Sequence, residues 1–571
     1  MSYQPRTSLK RVLLPLVILP FLIACAPPSA TRESTTGPGA VAGPPKVLHM
    51  GILGREPDNL LTASHHFIFH AALTKYDING NPIPDLAVKL PTVNGDDWKV
   101  NPDGTMTVTW KLKSNTFWHD GTPLTAEDFV FGFKVDMDTR FSAAVRGELR
   151  SIGSLQAPDP KTLAVNWKFQ TMGAGQSDVA GGIRPYPRHL MEPLYETGDI
   201  AALQNSPLWL GGWVGLGPFK LTSHTQGSFI DAAAFDQYFG GRPKIDRLVI
   251  KYMPDPNSMV AGVLSGDIDV IPGGSGIDIP QMLAIREQWG TTGGLTLAIP
   301  KGDRSVHLNF RDPSAPWVKD VRVRQAMVHA LDRNEIDQAL QSGLLGTADW
   351  YIEKNTPVYD LAVKANLPKY PYDPARASQL LAEAGWTRAP GAQLRNAAGE
   401  ILAHHTVADA GSGANILEIT TMSSMWSAVG IFSEPKGMAK NVDLPTQYGE
   451  GYHGTMVRAW NFAGGLAPQY IGITSARIPS ADNKFVGNNH GAYVNPAIDD
   501  LYNQMTRTLV INDVQQAALG IARIIGQEVP IFPLYYQGDM HVSAAAVKGP
   551  GMVPAVQRYS TWNIMDWDLQ R

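Results

Sequence analysis

The chain has 571 residues, more than one hydrophobic core of roughly 250–300 residues accommodates, so two or more lobes are expected. Hydrophobic residues make up 44% and charged residues 18%, the balance of a globular protein, and a net charge of -4 gives no basis for a nucleic-acid partner. A single cysteine excludes an intramolecular disulfide.

The N-terminus reads as a leader. Arg6, Lys10 and Arg11 form a basic start, and Val12 to Ala24 is an apolar run too short to span a bilayer comfortably, which predicts a signal peptide over residues 1–24. Leu22-Ile23-Ala24-Cys25 resembles a bacterial lipobox, with Cys25 as the site of lipid attachment. The stretch 25–46 is rich in Pro, Gly, Ser and Thr and is expected to be a lipidated cysteine followed by a disordered tether. No later run of about 20 apolar residues offers a membrane span.

Val47 to Leu53 predicts a buried first strand ending near Gly54 and Arg55, and ligands in open α/β sheets gather at such strand ends. Ile68, Ala71, Ala72 and Tyr76 fit one helix face, followed by a turn at Asp77 to Asn81. That turn lacks the acidic twelfth residue of a calcium loop, since Val88 stands there. His65, His66 and His70, like the pair His404-His405, lack the carboxylate-rich surroundings of a metal site, so no metal and no cofactor is expected. Met106, Val108, Trp110 and Leu112 alternate with threonines and Lys111, which predicts a half-buried strand. Thr125 then caps a helix with Ala126, Phe129, Val130 and Phe133 on its buried face, while His119-Asp120 reads as a surface turn.

Val306 to Phe310 predicts a strand, broken off by Pro313 and Pro316. Asp320 is a predicted N-cap, with Val323, Ala326, Met327, Ala330 and Leu331 forming one apolar stripe, and Asp332 caps a second helix that Gly343 stops. Asp373-Pro374 and Asn495-Pro496 start further helices, and Val514, Ala517, Ala518, Ile521 and Ile525 mark another. In a strand over Thr455 to Trp460, Met456, Arg458 and Trp460 share a face. Enzyme motifs are missing: Gly273-Gly274-Ser275-Gly276-Ile277 fails the nucleophile elbow at its fifth position, and there is no P-loop or zinc-protease helix, so no catalytic residues are expected.

Several of these stretches, in order along the chain, resemble the oligopeptide-, dipeptide- and nickel-binding proteins of ABC transporters, family 5 of the bacterial extracellular solute-binding proteins. They are WKLKSNTFWHDGTPLTAEDFVFGF, Gly215-Leu216-Gly217-Pro218-Phe219, Leu264 to Val270, LNF followed by a proline loop and DVRVRQAMVHALDR, the helix at Asp373-Pro374, and Val529 to Tyr536. The resemblance implies an α/β, two-lobed periplasmic-binding-protein fold of type II, in its large form with an extra subdomain in the first lobe and a two-segment hinge. Mapped onto this chain, residues 47–73, 205–304 and 537–571 would form the core of lobe I, 74–204 its extra subdomain and 305–536 lobe II, with Ser305 to Phe310 as a hinge candidate.

The same resemblance places a cleft wall at Gly273, Gly274 and Ser275, a ligand-facing tryptophan segment at Arg458, Trp460 and Asn461, and Asn309 at the hinge; Arg55 joins them from its strand end. Oligopeptide binders carry an acidic residue soon after the tryptophan, to pair with the ligand's ammonium group, but here Asn461, Phe462, Ala463 and Gly464 follow. The expected protein is an extracytoplasmic, monomeric lipoprotein that captures a peptide or peptide-like solute and hands it to a permease with its ATPase. An oligosaccharide or another small solute bound by the same fold is the alternative, with a secreted hydrolase as a more distant one.

Overall fold

The computed structural model describes residues 43–61, 63–141, 147–177, 182–291, 293–439, 453–462, 465–551, 553 and 559–571. Cys25, the leader and the tether up to residue 42 lie outside the described residues.

Ten strands build the main sheet: β1 (Val47–Leu53), β2 (Phe219–Thr225), β3 (Phe229–Ala234), β4 (Arg247–Met253), β5 (Val270–Ile271), β6 (Gly294–Leu308), β7 (Ala403–Asp409), β8 (Phe432–Met438), β9 (Gly454–Asn461) and β10 (Ile531–Ala544). Their order is β8-β7-β9-β6-β10-β5-β1-β4-β3-β2. β1 runs parallel to β4 and β5, and β7 runs parallel to β8 and β9. Between these two parallel groups lie β6 and β10, antiparallel to each other along their whole length.

The two long strands join different neighbours at their two ends. β9 pairs with β6 only from Gly302 to Leu308, whereas β5 pairs with β10 at Val542 and Ser543. The β6–β10 register slips between these regions, at Pro300/Gly302, and again inside the stretch that β9 joins, at Arg304/Ser305. Pro300 has no N–H for the ladder, so a slip is expected beside it.

The buried apolar clusters divide at the same place. Two of them, around Val306, Met327, Trp426 and Leu534 and around Tyr351, Trp460, Ile521 and Tyr536, draw only on residues from 306 to 536. Two others, around Leu48, Phe219, Ile250 and Trp567 and around Met259, Ile271, Ile285 and Val542, draw on residues from 48 to 285 and from 540 to 569. A separate four-stranded antiparallel sheet contains Met106–Lys111, whose Met106, Val108 and Trp110 are buried as the alternation predicts.

Helix starts follow the predicted caps. Asp320 accepts from the Arg322 N–H at 2.9 Å ahead of α1 (Val321–His329), and Asp332 accepts from Asn334 and Glu335 ahead of α2 (Arg333–Gln341). Pro374–Glu383, Pro496–Thr506 and Ile511–Glu528 form as read. Thr125 and Asp128 close a capping box on Ala126–Met137, but its buried face is Ala126, Phe129, Phe131 and Val135, with Val130 and Phe133 only half-buried. The helix is turned because Gly132 lies against the Arg184 carbonyl, where an added Cβ would come within 2.0 Å of the oxygen.

The helix face read across Ile68 to Tyr76 is corrected. Only His66–Phe69 is helical, and Thr74–Tyr76 is a strand. Backbone packing overrides the periodicity: a Cβ on Gly215 would sit 1.8 Å from the Phe69 carbonyl oxygen, and the Ala72 and Leu73 carbonyls accept from Leu86 and Asp85. The predicted strand at Val306 to Phe310 begins twelve residues earlier, at Gly294, and ends at Leu308. Among the described residues, no helix is long and apolar enough to cross a membrane.

Candidate functional site

In an open α/β sheet, ligands gather at the carboxyl ends of parallel strands. β1, β4 and β5 end at Leu53, Met253 and Ile271, and β7, β8 and β9 end at Asp409, Met438 and Asn461. The loop after β5 and the end of β9 flank the same part of the two long strands. A Cβ on Gly273 would lie 3.4 Å from Asp539 Cβ and 3.5 Å from Ile299 Cδ1. From the other side, Asn461 pairs with Gly302 and the Phe462 N–H donates to the Lys301 carbonyl at 2.9 Å. Lys301 and Asp539 form an ion pair between the two strands there.

Alternation along β6 sends Asp303, Ser305 and His307 to one face of the sheet and Arg304 and Val306 to the other. On β9 the residues opposite them are Trp460, Arg458 and Met456, and on β10 Tyr536 stands opposite Asp303. The Trp460 ring is 7% exposed, donates from Nε1 to the Gln469 carbonyl at 3.1 Å, and lies 5.5 Å from His307 and 5.1 Å from Tyr351, centroid to centroid. Arg458 Nη1 donates to His490 Nε2, and no described carboxylate lies within ion-pair distance of Arg458. Burial, with Arg458 second, pushes His490 down to about 2 and His307 to about 3, so both imidazoles are neutral.

Asp303 is fully buried. The Ser305 hydroxyl donates to its Oδ1, whereas Oδ2 has no hydrogen-bond partner among the described residues. Burial pushes this carboxyl up to about 7, against the lowering influence of Ser305 and Arg304. On the opposite face, Arg304 pairs with the buried Glu418 of α3 (Gly413–Ala428), whose Oε1 also accepts from the Tyr535 hydroxyl at 2.6 Å.

The other predicted residues are placed as follows. The Gly273 N–H donates to Ser560 Oγ at 2.7 Å, Gly274 has φ +83°, and the Ser275 carbonyl accepts from the Leu53 N–H at 2.9 Å. Ser275 is buried, and its Oγ has no hydrogen-bond partner among the described residues. The Arg55 side chain is 83% exposed, 3.6 Å from Asp58. Asn309 is at the far end of β9, about 20 Å along the strand from Asp303, with its N–H on the Gly454 carbonyl and its Oδ1 accepting from the Arg311 N–H. Arg458, Trp460 and Asn461 therefore lie on one strand, Gly273 to Ser275 lie across the slip from its end, and Asn309 and Arg55 stand apart. A depression of about 460 Å³, lined by His49, Arg247, Lys251 and Tyr252 among others, contains none of these residues.

Residues 81–476 match the family model described as bacterial extracellular solute-binding proteins, family 5 middle. The chain belongs to this family. It is 26% identical over 394 residues to the oligopeptide-binding protein AppA of Bacillus subtilis (strain 168), with 67% of each chain covered. A periplasmic oligopeptide-binding protein of Thermotoga maritima superposes with a TM-score of 0.76 at 18% identity, over 92% of this chain and 99% of the other. NikZ of Campylobacter jejuni, solved with Ni(L-His), gives a TM-score of 0.72 at 20% identity, over 92% of this chain and 100% of the other. The fold is thus the mixed α/β fold of these solute-binding proteins, as the sequence resemblance implies, and the family is extracytoplasmic and serves ABC transporters.

Asp303, Tyr351 and His490 escaped the sequence reading. Lys301-Gly302-Asp303-Arg304 looks like a charged loop ahead of an apolar strand. The available signal was the period-two polar set Asp303, Ser305 and His307, which continues the strand backwards.

Proposed function

We propose that this family 5 chain is the lipid-anchored receptor of an ABC importer, and that it captures a peptide or peptide-like solute between two lobes. The observation that carries the ligand class is Arg458: a half-buried guanidinium on the Trp460 face with no described carboxylate partner matches a ligand carboxylate. The peptide assignment also draws support from the oligopeptide-binding relative. Lobe I is assigned to residues 47–73, 205–304 and 537–571, its subdomain to 74–204 and lobe II to 305–536. The division of the buried clusters supports the separation of 305–536 from the rest of the chain.

A ligand that touches both lobes favours closure by its differential affinity, and closure is what a permease can read. In thermal unfolding of the purified mature protein, a stabilising ligand at 100 times its Kd adds about 2.7 kcal/mol. Peptide pools are expected to raise the unfolding temperature. Stabilisation by oligosaccharides with no response to peptides would replace the peptide reading by the sugar one.

Cys25 is assigned as the acylated residue. Because one acyl chain gives only marginal membrane binding, more than one chain is expected. Cys25→Ser is expected to move the protein from the membrane to the soluble fraction; unchanged partitioning would remove the anchor from this proposal.

A further inference from the structure

We infer that residues 507–509 latch the extra subdomain of lobe I to lobe II, and that this contact must part before a solute enters or leaves. The inference rests on the two-lobe reading above and concerns how fast the site opens.

The subdomain, residues 74–204, carries a core of its own. The buried cluster around Trp110, Trp118, Phe129 and Val165 draws on residues 71–216, and its partly buried fringe comes from residues 90–239 and from Leu509. Leu509 belongs to the other end of the chain. It sits in the loop between the helices Pro496–Thr506 and Ile511–Glu528. A Cβ on Gly520 would lie 3.0 Å from Leu501 Cδ1, so the two helices pack closely and present the loop at the tip of a hairpin.

Three contacts of different chemistry meet at this tip. Leu509 packs on the subdomain core, the Met172 N–H donates to the Thr508 carbonyl at 3.1 Å, and the Arg507 guanidinium lies 4.9 Å over the Phe169 ring. Both sides are shaped for the encounter. Met172 opens the short helix Met172–Gly175, whose first N–H has no acceptor within the helix, and the Thr171 hydroxyl accepts from Gly173 instead. On the facing side, Thr508 Oγ1 accepts from the Val510 N–H at 3.1 Å, and the Asp513 N–H donates to the Val510 carbonyl at 3.0 Å, which sets the turn.

Each of these contacts is weak where water can replace it, which suits a junction that has to reopen. A like-charge pair works against them. Arg150 belongs to the subdomain, and its carbonyl accepts from Lys168 Nζ at 2.8 Å, next to Phe169. Arg477 faces it from lobe II: burial, followed by the charge of Arg150, holds the Arg477 guanidinium below its usual range. Two cations on opposite sides of the junction favour its opening. The latch and the arginine pair therefore push the lobes in opposite directions, so variants of the two have effects of opposite sign.

The test uses the purified mature protein, with a random tripeptide library as probe. Small-angle scattering reads the radius of gyration without ligand, and mass spectrometry after gel filtration reads how fast captured peptides leave. Arg507→Ala combined with Leu509→Ala is expected to enlarge the ligand-free radius and to speed release about five- to twenty-fold. Arg150→Gln, at an exposed position, is expected to contract the radius and to slow release about two-fold. No change in the double variant, or changes of the same sign in both variants, would overturn the latch and leave the peptide reading standing. If wild type captures no tripeptide, the peptide reading fails and the scattering arm alone decides the latch. If the double variant does not fold, Arg150→Gln decides: contraction and slower release support the latch, and wild-type behaviour or faster release overturns it.

Discussion

A carboxyl group that loses contact with water and gains a single hydrogen-bond donor tends to keep its proton, and Asp303 is held that way at about 7, chiefly by burial. Arg304 from its own strand, Tyr351, Tyr470 from α4 (Leu466–Ile471) and Tyr536 from β10 are the titratable groups whose electrostatics couple to it. In the unfolded chain this carboxyl ionises near pH 4, so the unfolded state gives up its proton first. The ligand-free fold therefore loses stability as pH rises from about 4 to about 7, and nothing further is lost from this group above that range. Asp303→Asn removes the penalty. Its unfolding temperature should match that of wild type near pH 4 and exceed it near pH 7.5, where the difference in stability is on the order of a few kcal/mol. Equal unfolding temperatures across the range would show that a bound water or counter-ion already satisfies Oδ2.

Individual elements were legible in proportion to how locally they are determined. The helices after Asp320, Asp332, Asp373 and Asn495 begin where a carboxylate or amide can accept from the first turn, and that chemistry lies within three residues of the cap. The family blocks gave the fold for the same reason: each is a short local pattern. Pairing across the sheet is not local. Gly294–Leu308 keeps strand conformation through Pro300 and the charged run Lys301 to Arg304 because β10 accompanies it throughout and β9 joins at Gly302, which no neighbouring residue announces. The candidate site inherits that blindness. Trp460 and Arg458 stand out by residue type, whereas the importance of Asp303 comes from partners more than 150 residues away on β9 and more than 230 away on β10.

At the scale of the molecule, among the described strands of the main sheet only β6 and β10 run from one set of buried clusters to the other, and they make that crossing side by side where the register slips. Any closing of two lobes must be absorbed there, by a few residues at Ile299–Gly302 and Gln537–Asp539. Gly538 is the tightest point of that crossing: an added Cβ would lie 2.5 Å from the Ile299 carbonyl oxygen and 2.8 Å from Leu345 Cδ1. The first of these neighbours is backbone and cannot step aside, so alanine must push β10 away from β6. Gly538→Ala is expected to cost about 1–3 kcal/mol of stability in urea unfolding, in the range of overpacking elsewhere. It should also reduce the contraction in radius of gyration that small-angle scattering detects when the stabilising peptide pool is added. Gly551→Ala, where a Cβ meets no atom of the described residues within 4 Å, serves as the matched control and should stay within about 0.5 kcal/mol of wild type. Undiminished contraction and affinity in Gly538→Ala would mean that closure bends the chain somewhere other than this crossing.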